Sequence, residues 1–200
     1  MTTDHDLFAA LAGTDEETRR LHDRLAAAAA GAGMLDVAYR MLDTPVGTLL
    51  LAATEEGLVR VAYAREDHDR VLDELARRVS PRVLRAPARL EAAARELGEY
   101  FGGRRSAFDL PLDLRLAQGF RRTVLSHLPA IGYGTTASYA AVAAAAGSPR
   151  AVRAVGTACA TNPLPVVVPC HRVVRSDGTP GRYVGGPDAK RTLLDLEVAA

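Results

Sequence analysis

The sequence predicts two packed units: a small α/β domain with an antiparallel sheet, then a mainly α domain built on a helix-turn-helix. Three observations lead there. Residues 36 to 63 alternate short apolar runs with turn signals, residues 67 to 101 switch to helical spacing, and from about Gln118 the chain is Ala-rich and helical around a tight Gly-Ser turn. At 200 residues, with 48% apolar and 24% charged side chains, there is room for one ordinary domain or two small ones, with the composition of a globular protein.

Residues 1 to 34 read as an appended helical extension, in which Thr14 and Glu17 have capping-box spacing and Leu21 and Leu25 share a face. The first domain, 35 to 114, opens with DVAYRML, the turn DTPVG, TLLLAAT, the turn EEG and LVRVAY, an antiparallel meander. Two helices follow. DHDRVLDELARRV spaces Val71, Leu72, Leu75 and Val79 along one side, and PARLEAAARELGEYF begins at a first-turn proline and stops before Gly102 and Gly103. FDLPLDL completes the unit near Leu114. This half offers no nucleophile, metal cluster or phosphate loop and reads as scaffold.

The second domain, 115 to 200, starts with GFRRTVLSHL, which has Phe120, Val124, Leu125 and Leu128 on one side and Arg121 and Arg122 on the other. SYAAVAAAAG forms a short helix closed by Gly147. In SPRAVRAVGTACA, Ser148 is the expected N-cap and Pro149 the first helical residue, which sets Arg150 and Arg153 near the start of a recognition helix. The net charge of +1 hides an asymmetry: residues 115 to 175 hold no Asp or Glu but seven arginines, among them Arg121, Arg150, Arg153 and Arg172. Such a surface suits phosphate. No apolar run could span a bilayer, and MTTDHDLF is acidic and polar where a secretion signal is basic and greasy. The expectation is a cytoplasmic protein without a membrane partner. Two cysteines, Cys159 and Cys170, are too few for a disulfide framework or a Cys-rich zinc site.

The segment NPLPVVVPCHRVV, Asn162 to Val174, carries the chemistry. LPVVV reads as a buried strand that Pro169 interrupts, presenting Cys170 beside His171 and Arg172. A thiol attacks as thiolate, and the imidazole, Arg172 and the positive surroundings are expected to favour that form. Adjacent residues point apart in an extended chain, so His171 takes the proton through a turn or an intervening water. Its orienting carboxylate would come from the terminal helix DAKRTLLDLE, as Glu197 or Asp195. Cys159, in mid-helix, reads as core packing.

PCHRV, preceded by NPLP and the SPRAVRAVG helix and followed by GRYVGG and a terminal LLDLE, resembles the methylated-DNA-protein-cysteine methyltransferase family over roughly residues 36 to 198. The resemblance implies a ribonuclease-H-like first domain, a winged-helix second domain, and DNA repair without cofactor or metal. The implied reaction is one irreversible transfer of an alkyl group from guanine O6 in double-stranded DNA, O4-alkylthymine being a further candidate, after the nucleotide rotates out of the helix. Cys170 then looks like the acceptor, His171 the water-linked base and Glu197 its carboxylate. Asn162 resembles the hinge asparagine, Tyr139 the tyrosine that rotates the nucleotide and donates to the leaving guanine, and Arg153 the finger that fills the gap. Arg150, Ser148, Ser138, Arg172 and Arg121 complete the implied DNA-binding surface. The implied pocket has Tyr183 as wall, Val184 and Gly185 beside it, and the Cys170 and Val173 carbonyls facing the guanine amino group. Val184 stands where many relatives have Ser, leaving only its N–H for O6. Residues 1 to 34 lack the cysteines of the zinc-bearing domain in some fused relatives. The family implies a monomer with no required protein partner; cooperative loading along DNA stays open. Two other readings compete. A non-enzymatic damage sensor would carry Trp at the acceptor position, and a cysteine hydrolase would draw its base from a distant segment.

Overall fold

In a computed structural model, described over residues 15–199, the first domain is organised by Leu49–Ala53 (β2), all five residues of which are buried. A strand with no exposed face needs cover on both. Alternation sends Leu49, Leu51 and Ala53 into the main core and Leu50 and Ala52 into a second cluster with Val71 and Leu75. Val37–Leu42 (β1) and Leu58–Tyr63 (β3) flank β2 in antiparallel register, as the turn-punctuated pattern predicts. The sheet is mixed, however, because Val83–Arg85 (β4) joins β1 in parallel to give the order β3-β2-β1-β4. Three residues at an edge carry too little periodicity to be read as a strand.

His68–Arg78 (α2) covers the second cluster through Val71 and Leu75 and starts where the Asp67 carboxylate accepts from the Arg70 N–H. Glu91–Phe101 (α3), entered through a short 3₁₀ turn at Pro87–Leu90, lays Ala93, Ala94, Leu97 and Tyr100 on the main core. The extension forms a helix, Asp15–Gly31 (α1), but its buried face is not the expected one. Leu21 and Leu25 are 63% and 56% exposed. His22 instead meets the Arg85 carbonyl at 2.7 Å, and Ala26 packs on Leu35, Ala38 and Ala86. Small side chains let the helix approach the β1–β4 edge more closely than leucines would. Thr14, the expected cap, lies outside the described residues.

In the second domain, Gly119–His127 (α4) packs on Val152–Ala160 (α6), with Val124, Leu125, Val155 and Cys159 in the shared core. Tyr139–Ala145 (α5) precedes α6. Gly147, at φ +72°, lets the Ser148 N–H reach the Ala143 carbonyl at 2.9 Å and so ends α5. Ser148 is not the N-cap of α6. Its carbonyl accepts the Ala151 N–H at 2.8 Å in a separate turn, with Pro149 at the position that turns favour, and the helix begins at Val152. Ala137–Ser138 (β5) and Val173–Val174 (β6) pair in parallel, and a bridge from Val174 to Pro180 forms the wing. Gly186–Ala199 (α7) closes the fold. Among the described residues, no helix is long and apolar enough to cross a membrane.

Leu164–Val168 is not a strand. The segment turns, with Val166 at φ +72°, and residues 162 to 174 are all buried. Pro163, Pro165 and Pro169 remove the N–H groups a ladder needs, and a buried backbone must be satisfied some other way. Asn162 does this: its side-chain oxygen accepts from the Leu164 N–H and its amide donates to the Val168 carbonyl, both at 2.9 Å.

Candidate active site

Cys170 begins a 3₁₀ turn, Cys170–Arg172, that separates it from the direction of its neighbours. The residue is 1% exposed, and its Sγ accepts a hydrogen bond from the Asn162 amide at 3.2 Å. Burial pushes the thiol up to about 11, against the opposing influence of that bond and of the Lys190 charge. The resting sulfur is therefore a thiol, contrary to the expectation that its flanking bases hold it ionised. Arg172 is turned away from it. Nor does Arg172 face DNA: it is buried, its Nε and Nη2 donate to Glu197 at 2.9 Å, and its Nη1 donates to the Ile131 carbonyl at 2.6 Å. A carboxylate in the interior holds that guanidinium in place, which a count of arginines along the chain does not reveal.

Glu197 arrives from α7 on the stripe Ala189, Lys190, Leu193, Glu197, while Asp195 is exposed. Its carboxylate accepts from His171 Nε2 at 2.9 Å, Tyr100 Oη at 2.7 Å, the Gly134 N–H at 3.2 Å and Arg172. Burial pushes this carboxyl up, but the bonds from His171, Arg172 and Tyr100 outweigh it and hold it at about 2. Burial likewise drives the His171 imidazole below its ordinary value, although Glu197 opposes the shift. A neutral ring facing an ionised carboxylate must carry its proton on Nε2, a tautomer assigned from the bonding pattern. That leaves the Nδ1 lone pair, which is buried and has no hydrogen-bond partner among the described residues. A base held in one orientation with one free acceptor is suited to receiving a proton.

Three residues that sequence reasoning missed complete the site. Tyr100, on α3 of the supposed scaffold domain, is the Glu197 donor. Tyr63, at the end of β3, places its hydroxyl 2.9 Å from that of Tyr183, with the two rings edge to face at 5.8 Å. Gly185 lies under the Tyr63 ring, where a Cβ would come within 2.5 Å of it. Lys190, the only lysine of the chain, is fully buried and donates to the Val173 carbonyl at 2.6 Å. That carbonyl and the Cys170 carbonyl, which accepts the Val173 N–H, are both engaged in the free protein. An isolated lysine among arginines was the available signal for Lys190; aromatic residues in apolar runs give none for Tyr63 or Tyr100.

A 480 Å³ hollow beside α6 is lined by Tyr139, Arg153, Gly156, Arg175, Gly181 and Arg182. Burial holds the Tyr139 phenol up at about 12, with Cys159 and Cys170 adding to the effect, so it stays a neutral donor. Ser138 caps α5 by accepting from the Ala141 N–H at 3.1 Å, and Arg150 and Ser148 lie on the neighbouring turn surface. Arg121 and Val184 line a different groove, between the domains. Gly181 abuts Tyr139, and a Cβ there would lie 2.1 Å from the hydroxyl. Because Gly181 does not have positive φ, Gly181→Ala adds no backbone strain but must displace that hydroxyl. The variant is expected to unfold at the wild-type temperature and to react with duplex about 10- to 100-fold more slowly in single turnover. An unchanged rate would remove Tyr139 from the reaction.

A helix-turn-helix backed by a buried cysteine, a neutral imidazole and an ionised carboxylate has the parts of a DNA-binding protein that uses its own thiol as nucleophile. Two family profiles match: "6-O-methylguanine DNA methyltransferase, ribonuclease-like domain" over residues 37–114, and "6-O-methylguanine DNA methyltransferase, DNA binding domain" over 119–199. The methylated-DNA-protein-cysteine methyltransferase of Mycolicibacterium paratuberculosis is 39% identical over 161 residues, covering 80% of this chain and 92% of the relative. The constitutive Bacillus subtilis enzyme is 38% identical, covering 80% and 94%. The crystal structure of Mycobacterium tuberculosis OGT in complex with DNA superposes with a TM-score of 0.71 at 36% identity, covering 81% of this chain and 93% of that one. The chain belongs to the methylated-DNA-protein-cysteine methyltransferase family. It is a DNA repair enzyme that transfers a methyl group from DNA to cysteine.

Proposed function

We propose that Cys170 is the acceptor and that it takes the alkyl group from guanine O6 of a nucleotide rotated out of double-stranded DNA. The observation that carries this reading is the free Nδ1 of a His171 whose other nitrogen is fixed on Glu197. As the thiol proton passes to Nδ1, directly or through a water, Sγ attacks the alkyl carbon, an S–C bond forms and the C–O6 bond breaks. The electron pair of the broken bond leaves with guanine, which takes a proton from Tyr139; His171 returns its proton to restore that phenol through solvent. Proton transfer within the reacting complex suits a thiol held at about 11, because no standing thiolate is required.

Arg153, exposed on the first turn of α6 at the edge of the hollow, fills the space the nucleotide leaves. Arg150, Ser148 and Ser138 hold phosphates around it, and Tyr183 forms the pocket wall with Val173 and the 184–185 backbone. Cys170 is sealed in the free protein, so base entry requires the wing segment to give way. The product thioether has no route back to a thiol, so each chain reacts once. We place the protein in the cytoplasm on DNA, as a monomer. The test is incubation with O6-methylguanine duplex followed by peptide mapping. One methyl per chain on the Cys170 peptide is expected; a methyl elsewhere, or turnover beyond one, would overturn the reading.

A further inference from the structure

An unassigned 460 Å³ groove lies between the domains, rimmed by arginines of α2 and by the C-terminal end of α6. Its charges are not all countered. Arg60 pairs with Glu66 at 2.5 Å, and Arg78 pairs with Glu74. Among the described residues, the other three guanidiniums form no ion pair, although Glu66 and Glu74 also line the groove. Arg70 donates twice to the Glu66 backbone carbonyl, at 2.8 and 3.2 Å, which fixes its direction without cancelling its charge. Arg121 is fixed by the Leu116 carbonyl and by Thr161 Oγ1 at 3.4 Å. Arg77 is exposed and makes no ion pair or hydrogen bond among the described residues.

Three guanidiniums without an ion pair, two of them aimed by backbone carbonyls, in one open groove match a polyanion with regularly spaced charges. The groove also shares Ala160 with the hollow beside Arg153. Along α6, Arg153 and Ala160 are about 10 Å apart, roughly three nucleotide steps of one DNA strand. We infer that this groove is a second phosphate-binding surface, through which the first domain grips the DNA backbone beyond the lesion. The inference rests on the proposed DNA-binding mode and adds to it a contribution from Arg70 and Arg77 of α2, outside the helix-turn-helix. The first domain is then more than a support.

The experiment compares wild type with the Arg70→Ser/Arg77→Ser double variant, measuring binding to a long duplex and to a short one that ends at the recognition helix, across a salt series. Both side chains are exposed, so folding is not at stake. On long duplex, the slope of log affinity against log salt is expected to fall by between about 1 and 2, since each phosphate contact contributes about 0.9. On short duplex the two proteins are expected to match, and their reaction rates with a free O6-alkylguanine base are expected to be equal. Arg70→Lys/Arg77→Lys is expected to keep the wild-type slope. A double serine variant with the wild-type slope on long duplex overturns the inference while leaving the proposed reaction intact. A wild type that binds without salt dependence overturns the DNA-binding reading itself.

Discussion

Cys170→Ala is expected to bind methylated duplex as wild type does and to remove no methyl group from it, whereas Cys159→Ser is expected to retain transfer. The two thiols are both buried and both pushed up by burial, Cys159 further than Cys170, so exposure does not separate them and neither rests as a thiolate. Their partners do. Cys170 accepts from Asn162 and precedes the imidazole whose Nδ1 is free, while Cys159 packs in the core of α6. The alanine variant loses a small buried group in a site held by other contacts, so duplex binding through Arg153 and its neighbours persists. Gel-shift and single-turnover transfer assays measure both halves of the prediction. Transfer by Cys170→Ala, or its loss in Cys159→Ser, would reassign the acceptor.

Glu197→Gln carries the second large effect, on stability and rate together. The substitution leaves the Arg172 guanidinium buried without a counter-charge, a change that typically costs about 3–5 kcal/mol. It also frees His171 from its fixed tautomer, and single-turnover transfer is expected to fall about 100-fold. The pH dependence has a definite sign. Glu197 is held at about 2 against an ordinary 4.5, so its contribution is complete above the ordinary value and lost as pH falls through about 2. His171 is held below its ordinary 6.5, so the unfolded chain binds its proton first and acid destabilises the fold here too. Wild type is therefore expected to lose stability steadily below about pH 6, and Glu197→Gln to show a shallower loss. Denaturant unfolding at a series of pH values checks both, and parallel curves for the two proteins would contradict the assignment.

Much of the fold was legible because its signals are local. β1, β2 and β3 sit where turns bracket apolar runs, and α2 and α3 follow their 3.6-residue spacing. The misreadings come from interactions that local pattern does not encode. LPVVV has strand composition, but three prolines and the Asn162 side chain redirect its backbone. Leu21 and Leu25 form a plausible stripe, yet a close approach to the sheet edge selected alanines. Ser148 has the chemistry of an N-cap, but the glycine turn before it spends its carbonyl on Ala151.

The site shows the same division. Cys170 and His171 were visible from adjacency in an unusual motif, and α7 was recognised as the source of a carboxylate. What adjacency cannot show is direction. Arg172, next to His171, points inward to Glu197, and the electrostatic environment of Cys170 is set by burial, by the Asn162 amide and by Lys190, twenty residues on. Tyr63 and Tyr100 reach the site only because the two domains pack together. The first domain therefore supplies functional groups from positions that read as ordinary core.

The resting site holds a neutral thiol beside a neutral, Nε2-protonated imidazole, and the proton moves only when substrate arrives. Nitrogen-15 NMR of His171, with the Cys170 thiol titrated in parallel, measures this directly. The expected result is an Nε2–H signal that persists from about pH 6 to pH 9 and a thiol that stays protonated over the same range. A thiolate and imidazolium pair at neutral pH in the free protein would contradict it.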